Sequence, residues 1–226
     1  YSFSLAEAHA LLLDFLTVGN DVEWTLLRDG EAFAAGNWYT WYHGGSDADK
    51  STLLNLQAGN YRLTLRPSSV YSWGDTPYSL KLHDLALAPA AMADGNTTLV
   101  HLRSEDGVFR IEASAGSVLY YKPVSVTSGS RWRLLDSSGA LVSGSSYSAS
   151  SEILLEALPK SGTYYLVWDG DYYGSSEQVT DSFVVRLLSP PTILPLPGIG
   201  EVVSGLLADD GMLRYRVHLD ASAVLL

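Results

Sequence analysis

"LLNLQAGNYRLTL" at residues 53–65 and "LLEALPKSGTYYLVW" at residues 154–168 are one pattern written twice, and reading them together decides the fold. Each runs from an apolar segment through a glycine to a tyrosine, and continues as "YRLTL" or "YYLVW". Apolar residues at every second position mark a β-strand, and a glycine just before them marks a turn. Gly59-Asn60-Tyr61 and Gly162-Thr163-Tyr164 stand 103 residues apart. Upstream, "DVEWTLLRDGEAF" from Asp21 parallels "GSRWRLLDSSGALV" from Gly129; Trp24 and Trp132 are 108 residues apart, and glycine turns follow (Gly30, Gly139). Downstream, "YSLKL" from Tyr78 parallels "FVVRL" from Phe183. Matches that keep their order and nearly their spacing identify tandem repeats.

A third copy opens near the C-terminus. "GNTTLVHLRSEDGVFRIEASAGSVLYY" from Gly95 parallels "GEVVSGLLADDGMLRYRVHLDASAVLL" from Gly200, and "YSFSLAEAHALLL" from Tyr1 parallels "YRVHLDASAVLL" from Tyr215. On this register the first unit is without the opening strand that the others carry as "TTLVHL" and "EVVSGLL". The expected organisation has about 105 residues per repeat. Residues 1–94 form a first β-sandwich, residues 95–199 a second, and residues 200–226 the opening strands of a third, as a window on a longer array. "LALAPAAMADG" (85–95) and "LLSPPTILPLPGIG" (187–200) fall at equivalent places as linkers, the second a stiff, extended, proline-rich spacer.

Strand-like segments ("YSFSL", "YRLTLRP", "YSLKLHDL", "FRIEA", "YYLVW", "YRVHL") recur between clusters of Gly, Ser, Asn and Asp. Only "LAEAHALLLDFL" has helical propensity; its counterparts contain Gly, Pro and β-branched residues, so it reads as turn plus strand. Seven or eight short strands per unit predict an all-β fold of tandem antiparallel, jelly-roll-like β-sandwiches. Trp24 and Trp132 are expected between the sheets. Tyr61 and Tyr164 are expected as corner tyrosines whose hydroxyls tie back to the backbone.

Composition narrows the function. Of 226 residues 14 are basic and 25 acidic, a net charge of −11, which argues against a nucleic-acid partner. The absence of cysteine excludes disulfides, thiolate metal sites and cysteine nucleophiles, and leans towards a bacterial source. No run of about 18 apolar residues is present, so no membrane insertion is expected. The chain opens on "YSFSLAEAH" without a basic leader, as an exported protein cut into a fragment would.

The order F/Y-x-F/I, then D/R-W-x-L-L, a glycine, and L-x-x-L-x-x-G-x-Y-x-L resembles the bacterial pre-peptidase C-terminal domain and its relatives. The strongest element is the G-x-Y-x-L signature at Ala58 to Leu63 and Ser161 to Leu166. The resemblance implies jelly-roll-like sandwiches of the kind attached to secreted proteases and repeated in large bacterial surface proteins. Where that family often carries an acidic D-x-D-L, this chain has Val22-Glu23-Trp24 and Ser130-Arg131-Trp132, so no cation role is implied there.

One stretch does not repeat. "NWYTWYHGG" (37–45) holds Trp38, Tyr39, Trp41 and Tyr42, where the second unit has "GSSYSASSE" around Tyr147. Further rings follow each G-x-Y strand: Tyr71 and Trp73 in "VYSWGDTPY", and Trp168, Tyr172 and Tyr173 in "WDGDYYGSS". Two readings stay open for these rings: packing on a linker or neighbouring unit, or exposed contacts for carbohydrate or a matrix protein. The pairs Asp47/Asp49 and Asp169/Asp171 read either as solvated turn aspartates or as oxygen donors for a structural calcium; no other cofactor is expected. There is no Gly-x-Ser-x-Gly elbow, zincin helix or phosphate loop, and the five histidines fall at unrelated repeat positions, so no enzyme activity is expected. The expected function is a structural or adhesive repeat segment of a large bacterial extracellular or cell-surface protein: a stalk, filament or adhesin array. Its partners would be neighbouring repeats of the same chain or head-to-tail copies. The alternative is a carbohydrate- or matrix-binding module.

Overall fold

The structure is a computed structural model, which describes residues 1–18, 22–38, 51–67, 78–91, 96–103, 105–142, 147–155, 157–169, 177–188, 192–195, 202, 204 and 213–216. The first sandwich uses seven strands: β1 (Ser2–Leu5), β2 (His9–Val18), β3 (Val22–Arg28), β4 (Glu31–Trp38), β5 (Ser51–Leu56), β6 (Gly59–Pro67) and β7 (Tyr78–Asp84). The second uses eight: β8 (Asn96–Leu102), β9 (Gly107–Ala113), β10 (Val118–Ser125), β11 (Arg131–Asp136), β12 (Tyr147–Ser148), β13 (Ile153–Leu155), β14 (Gly162–Asp169) and β15 (Gln178–Leu188). Two short strands follow, β16 (Thr192–Pro195) and β17 (Leu213–Arg216). Among the described residues the only helix is a 3₁₀ turn at Leu85–Leu87, so none is long and apolar enough to cross a membrane.

The two sandwiches share one topology, except that β8 has no counterpart among the described strands of the first. A sheet of order β4-β3-β6-β1 faces β5-β2-β7, and a sheet of order β12-β11-β14-β9 faces β13-β10-β15-β8. The fold is therefore all-β, with antiparallel sandwiches in tandem. A bulge after Phe15 in β2 recurs after Pro123 in β10, and it fixes the correspondence. Leu80, which pairs with Phe15, takes the place of Phe183, which pairs with Pro123. Tyr78, matched to Phe183 by sequence, instead corresponds to Asp181.

Local chemistry explains the corners. The β3–β4 hairpin turns on Asp29-Gly30, with φ of 50° and 95°, the left-handed pair that a two-residue type I′ loop requires. Tyr61 donates its hydroxyl hydrogen to the Gln57 carbonyl at 2.8 Å, and Tyr164 to the Lys160 carbonyl at 2.7 Å, so both are corner tyrosines. Trp24 and Trp132 are buried in the two cores. Trp24 lies so close to β4 that a Cβ at Gly36 would stand 2.6 Å from its Nε1. Trp132 packs on Tyr147 at a ring-centroid distance of 4.9 Å.

The linkers are hydrogen-bonded rather than free. Ala90 bridges Arg110 in parallel: Arg110 N donates to Pro89 O at 2.8 Å, and Ala91 N to Arg110 O at 3.0 Å. The same arrangement recurs as β16 pairs in parallel with β17, Pro195 opposite Arg216. Each linker thus runs alongside a later strand, the first beside β9 and the second, through β16, beside β17.

Candidate functional site at the junction of the sandwiches

The aromatic residues singled out in the sequence divide sharply. Trp168 is no surface ring: it lies inside the second core at 0% exposure, stacked on Phe183 at 4.9 Å. The strand continues two residues further than the loop reading assumed, and its period of two points Tyr164, Leu166 and Trp168 inward. Trp38 closes β4, its backbone opposite Val22. Tyr39, Trp41, Tyr42, Tyr71, Trp73, Tyr172 and Tyr173 lie outside the described residues. Asp169 is likewise not on a loop; it ends β14, with Oδ1 3.5 Å from Arg133 Nη2. Asp47, Asp49 and Asp171 lie outside the described residues. Among the described residues no group of three or more His, Cys, Asp or Glu side chains converges as a metal site would require.

The structure instead assembles a site between the two units. The outer face of β2 and β5, with the 3₁₀ turn, packs on the outer face of β9, β11 and β14. Leu12, Leu85, Val108, Leu135 and Val167 form a third apolar cluster there, bordered by Ala10, Leu53, Ala88 and Tyr165. Fully burying one such side chain stabilises by roughly 1.5–3 kcal/mol, so the seam is energetically comparable with a small core. Gly139 sits against it: a Cβ there would stand 1.8 Å from Leu53 Cδ2, across the seam.

Polar groups around the cluster set the register between the units. Asp14 on β2 is fully buried; its Oδ2 accepts the Asp106 backbone N–H at 3.0 Å and faces His83 Nε2 at 3.1 Å. A buried carboxylate is costly without such partners, so sliding one sandwich over the other by a residue is opposed. Arg133 donates to the Ser51 carbonyl at 3.3 Å and to Ser51 Oγ, and Asn55 Nδ2 donates to the Ser138 carbonyl. Lys81 pairs with Glu105 across the same boundary.

Three histidines that seemed unrelated by spacing each meet an aspartate near this junction. His9 Nδ1 is 3.0 Å from Asp84, His83 faces Asp14, and His101 Nε2 is 2.9 Å from Asp181. His101 Nδ1 also faces the Glu105 carbonyl at 2.9 Å, so both ring nitrogens meet acceptors. With a partner at each ring nitrogen, His101 ties β8 to β15 and to the segment that leads into β9. Burial pushes the Asp181 carboxyl up, but hydrogen bonds from His101 and Thr127 outweigh it and hold the group below its ordinary value. Burial pushes the Tyr121 phenol well up, and the nearby Asp181 charge adds to this.

The arrangement fixes one sandwich on the next, and a sequence signal for it exists. In "YYLVW" the outward residues Tyr165 and Val167 are as apolar as the inward ones, whereas in "YRLTL" the outward Arg62 and Thr64 are polar and exposed. Likewise in "HALLLDFL" the outward Ala10 and Leu12 are as apolar as the inward Leu11 and Leu13, and the buried Asp14 follows them. A strand apolar on both faces is covered on both.

No family model and no curated protein matches the chain. Among solved structures it is similar to PliG, a periplasmic inhibitor of g-type lysozyme, from Aeromonas hydrophila, at 18% identity and a TM-score of 0.37 over 44% of this chain and 94% of that one. The Salmonella Typhimurium PliG matches at 14% identity and a TM-score of 0.35, over 44% and 97% of the two chains. The human CUB1-EGF-CUB2 domain of MASP-1/3 covers 82% of this chain and 92% of that one, at 7% identity and a TM-score of 0.25. Similarity at this level carries no functional argument.

Proposed function

We propose that this chain is a scaffold segment: consecutive sandwich repeats of a large bacterial extracellular or cell-surface protein, forming part of a stalk, filament or adhesin array. The relationship to pre-peptidase C-terminal-like repeats belongs to the same proposal. The observation that carries it is the junction, where Leu12, Leu85, Val108, Leu135 and Val167 make a continuous apolar seam around the fixed Asp14–Asp106 contact. Mobile domains in one chain usually meet through more polar surfaces. A protein that holds position and direction needs the reverse, a dry joint with one register. The parallel pairing of both linkers supports the same reading, because it takes up slack between units.

The test uses the absence of cysteine. Spin labels at Thr64→Cys and Leu154→Cys, both exposed and in different sandwiches, report the distance between the units by pulsed electron spin resonance. A single narrow distribution is expected, together with no binding above background on glycan and matrix-protein arrays. A distribution as broad as that of a flexible tether overturns the scaffold reading. Array binding that is lost in Trp41→Ala would favour the aromatic-loop alternative.

A further inference from the structure

Asp14 puts a buried negative charge into the joint between the sandwiches, and its compensation depends on an imidazole. The Asp14 side chain on β2 is 0% exposed and that of His83 on β7 is 15% exposed. Asp14 Oδ2 accepts the Asp106 N–H of the second sandwich and lies 3.1 Å from His83 Nε2. Its other oxygen, Oδ1, is equally enclosed and meets no hydrogen-bond donor among the described residues. One backbone N–H and one histidine therefore carry this carboxylate, and a carboxylate so enclosed is costly unless its charge is offset.

The surrounding charges make the histidine decisive. Lys81 stands opposite Asp14 in the pairing of β7 with β2, and it is engaged by Glu105 of the second sandwich. Asp106 brings a second buried carboxyl to the same corner. Of these groups Asp14, Glu105 and Asp106 are acidic and Lys81 is basic, so the corner is short of positive charge until the imidazole takes a proton. A neutral ring with hydrogen on Nε2 still donates to Asp14, but only the imidazolium offsets the carboxylate's charge. Imidazole is also the side chain that ordinarily changes charge between about pH 5 and pH 8.

We propose that the Asp14–His83 pair is a pH-sensitive latch on the joint, closed by the imidazolium and loosened when the ring loses its proton. The latch rests on the reading of this joint as the working contact of the scaffold, and it regulates that contact. With Asp14 ionised and His83 protonated, the joint is tightest in mildly acidic solution. It loosens as pH rises through the imidazole range, and no further once the ring is neutral. His9 acts in the same direction: its Nδ1 is 3.0 Å from Asp84, which caps the 3₁₀ turn that carries Leu85 into the seam. That pair contributes less, because both side chains are 25% exposed and water screens them.

The test is amide hydrogen exchange of the 226-residue chain. Each rate is divided by that of an unstructured peptide at the same pH, which leaves only the opening of the structure. Protection of β9, β11 and β14 should fall about threefold to tenfold between about pH 6 and about pH 8.5, as a charged hydrogen bond becomes a neutral one. Strands β3 and β6, on the sheet away from the joint, should change by less than about twofold. His83→Gln keeps a neutral donor towards Asp14 and should hold protection nearly level over the same range. In the wild-type chain the His83 imidazole resonances should titrate with the midpoint of the protection change. Level protection in the wild type, full pH dependence retained in His83→Gln, or a His83 midpoint that differs from that of protection overturns the latch. Loss spread equally over β3 and β6 overturns it too, since the joint would not be the part that opens. A narrow spin-label distribution with level protection removes the latch and leaves the scaffold; a broad one at both pH values removes both.

Discussion

Leu12→Ala is the substitution that most directly probes the seam. Leu12 lies on the outer face of β2, at 0% exposure, in the cluster shared by both units rather than in either sandwich core. Removing three carbons at about 0.8 kcal/mol per methylene gives a transfer loss of ~2.4 kcal/mol. The cavity left behind raises the total into the range of about 2–5 kcal/mol. For a cooperative unit of this size, each kcal/mol lowers the melting temperature by roughly 2–4 °C, so a fall of about 4–20 °C is expected. Exposed Thr64→Ala, on the outer face of β6, should change stability by less than about 0.5 kcal/mol. Hydrogen exchange with mass spectrometry adds the decisive readout. The substitution is in the first sandwich, yet amides of β9, β11 and β14 in the second should lose protection. A destabilisation below about 0.5 kcal/mol, or protection lost only in β2, β5 and β7, would refute the shared seam.

Other expectations follow from single residues. Trp168→Ala should cost about 3–5 kcal/mol in urea denaturation, because it empties a core site, whereas a surface ligand contact would cost almost nothing. Asp181 has a depressed folded-state pKa, so its contribution is fully present above its unfolded value near 3.8 and is lost as pH falls through the lower folded value. Melting temperatures recorded from pH 5 down to pH 2 should therefore fall steeply, and less so in Asp181→Asn. That variant should already be about 1–3 kcal/mol less stable at pH 7, because a neutral amide replaces the charged acceptor beside the buried His101. Added calcium should shift the melting temperature little; a rise of about ten degrees, abolished by Asp169→Asn, would contradict the pairing of Asp169 with Arg133.

The fold was legible because the repeat supplied its own control. "LAEAHALLLDFL" favours a helix by composition, but its counterparts do not, and the strand β2 forms from His9. The two tyrosine corners were legible for the same reason, since a residue kept in both units at one place in a turn serves the shared fold. The site was less legible because it depends on how the units differ. Val167 and Thr64 occupy equivalent places, and only the meeting of two sheet faces shows that one is covered and the other wet. Asp14, His83 and Asp106 come from three separate segments, so no spacing rule joins them. Trp168 was less legible because a ring at a strand end can turn into the core or out into the loop, and β14 runs on to Asp169.

The contrast between the two outer faces also bears on the order of units along such a protein. Arg62, Thr64 and Arg66 on the first sandwich stand where Tyr165, Val167 and Asp169 stand on the second. A unit with the wet face cannot take the inner position of this junction without burying two guanidinium groups and a hydroxyl against Leu12 and Leu53. The repeats are thus alike in topology but not interchangeable in sequence, and each junction discriminates against the wrong neighbour. Gain or loss of whole units by unequal recombination, the usual way repeat arrays change length, would create mismatched seams here. An array of the proposed kind would then preserve its length and order, with each unit tied to its own place.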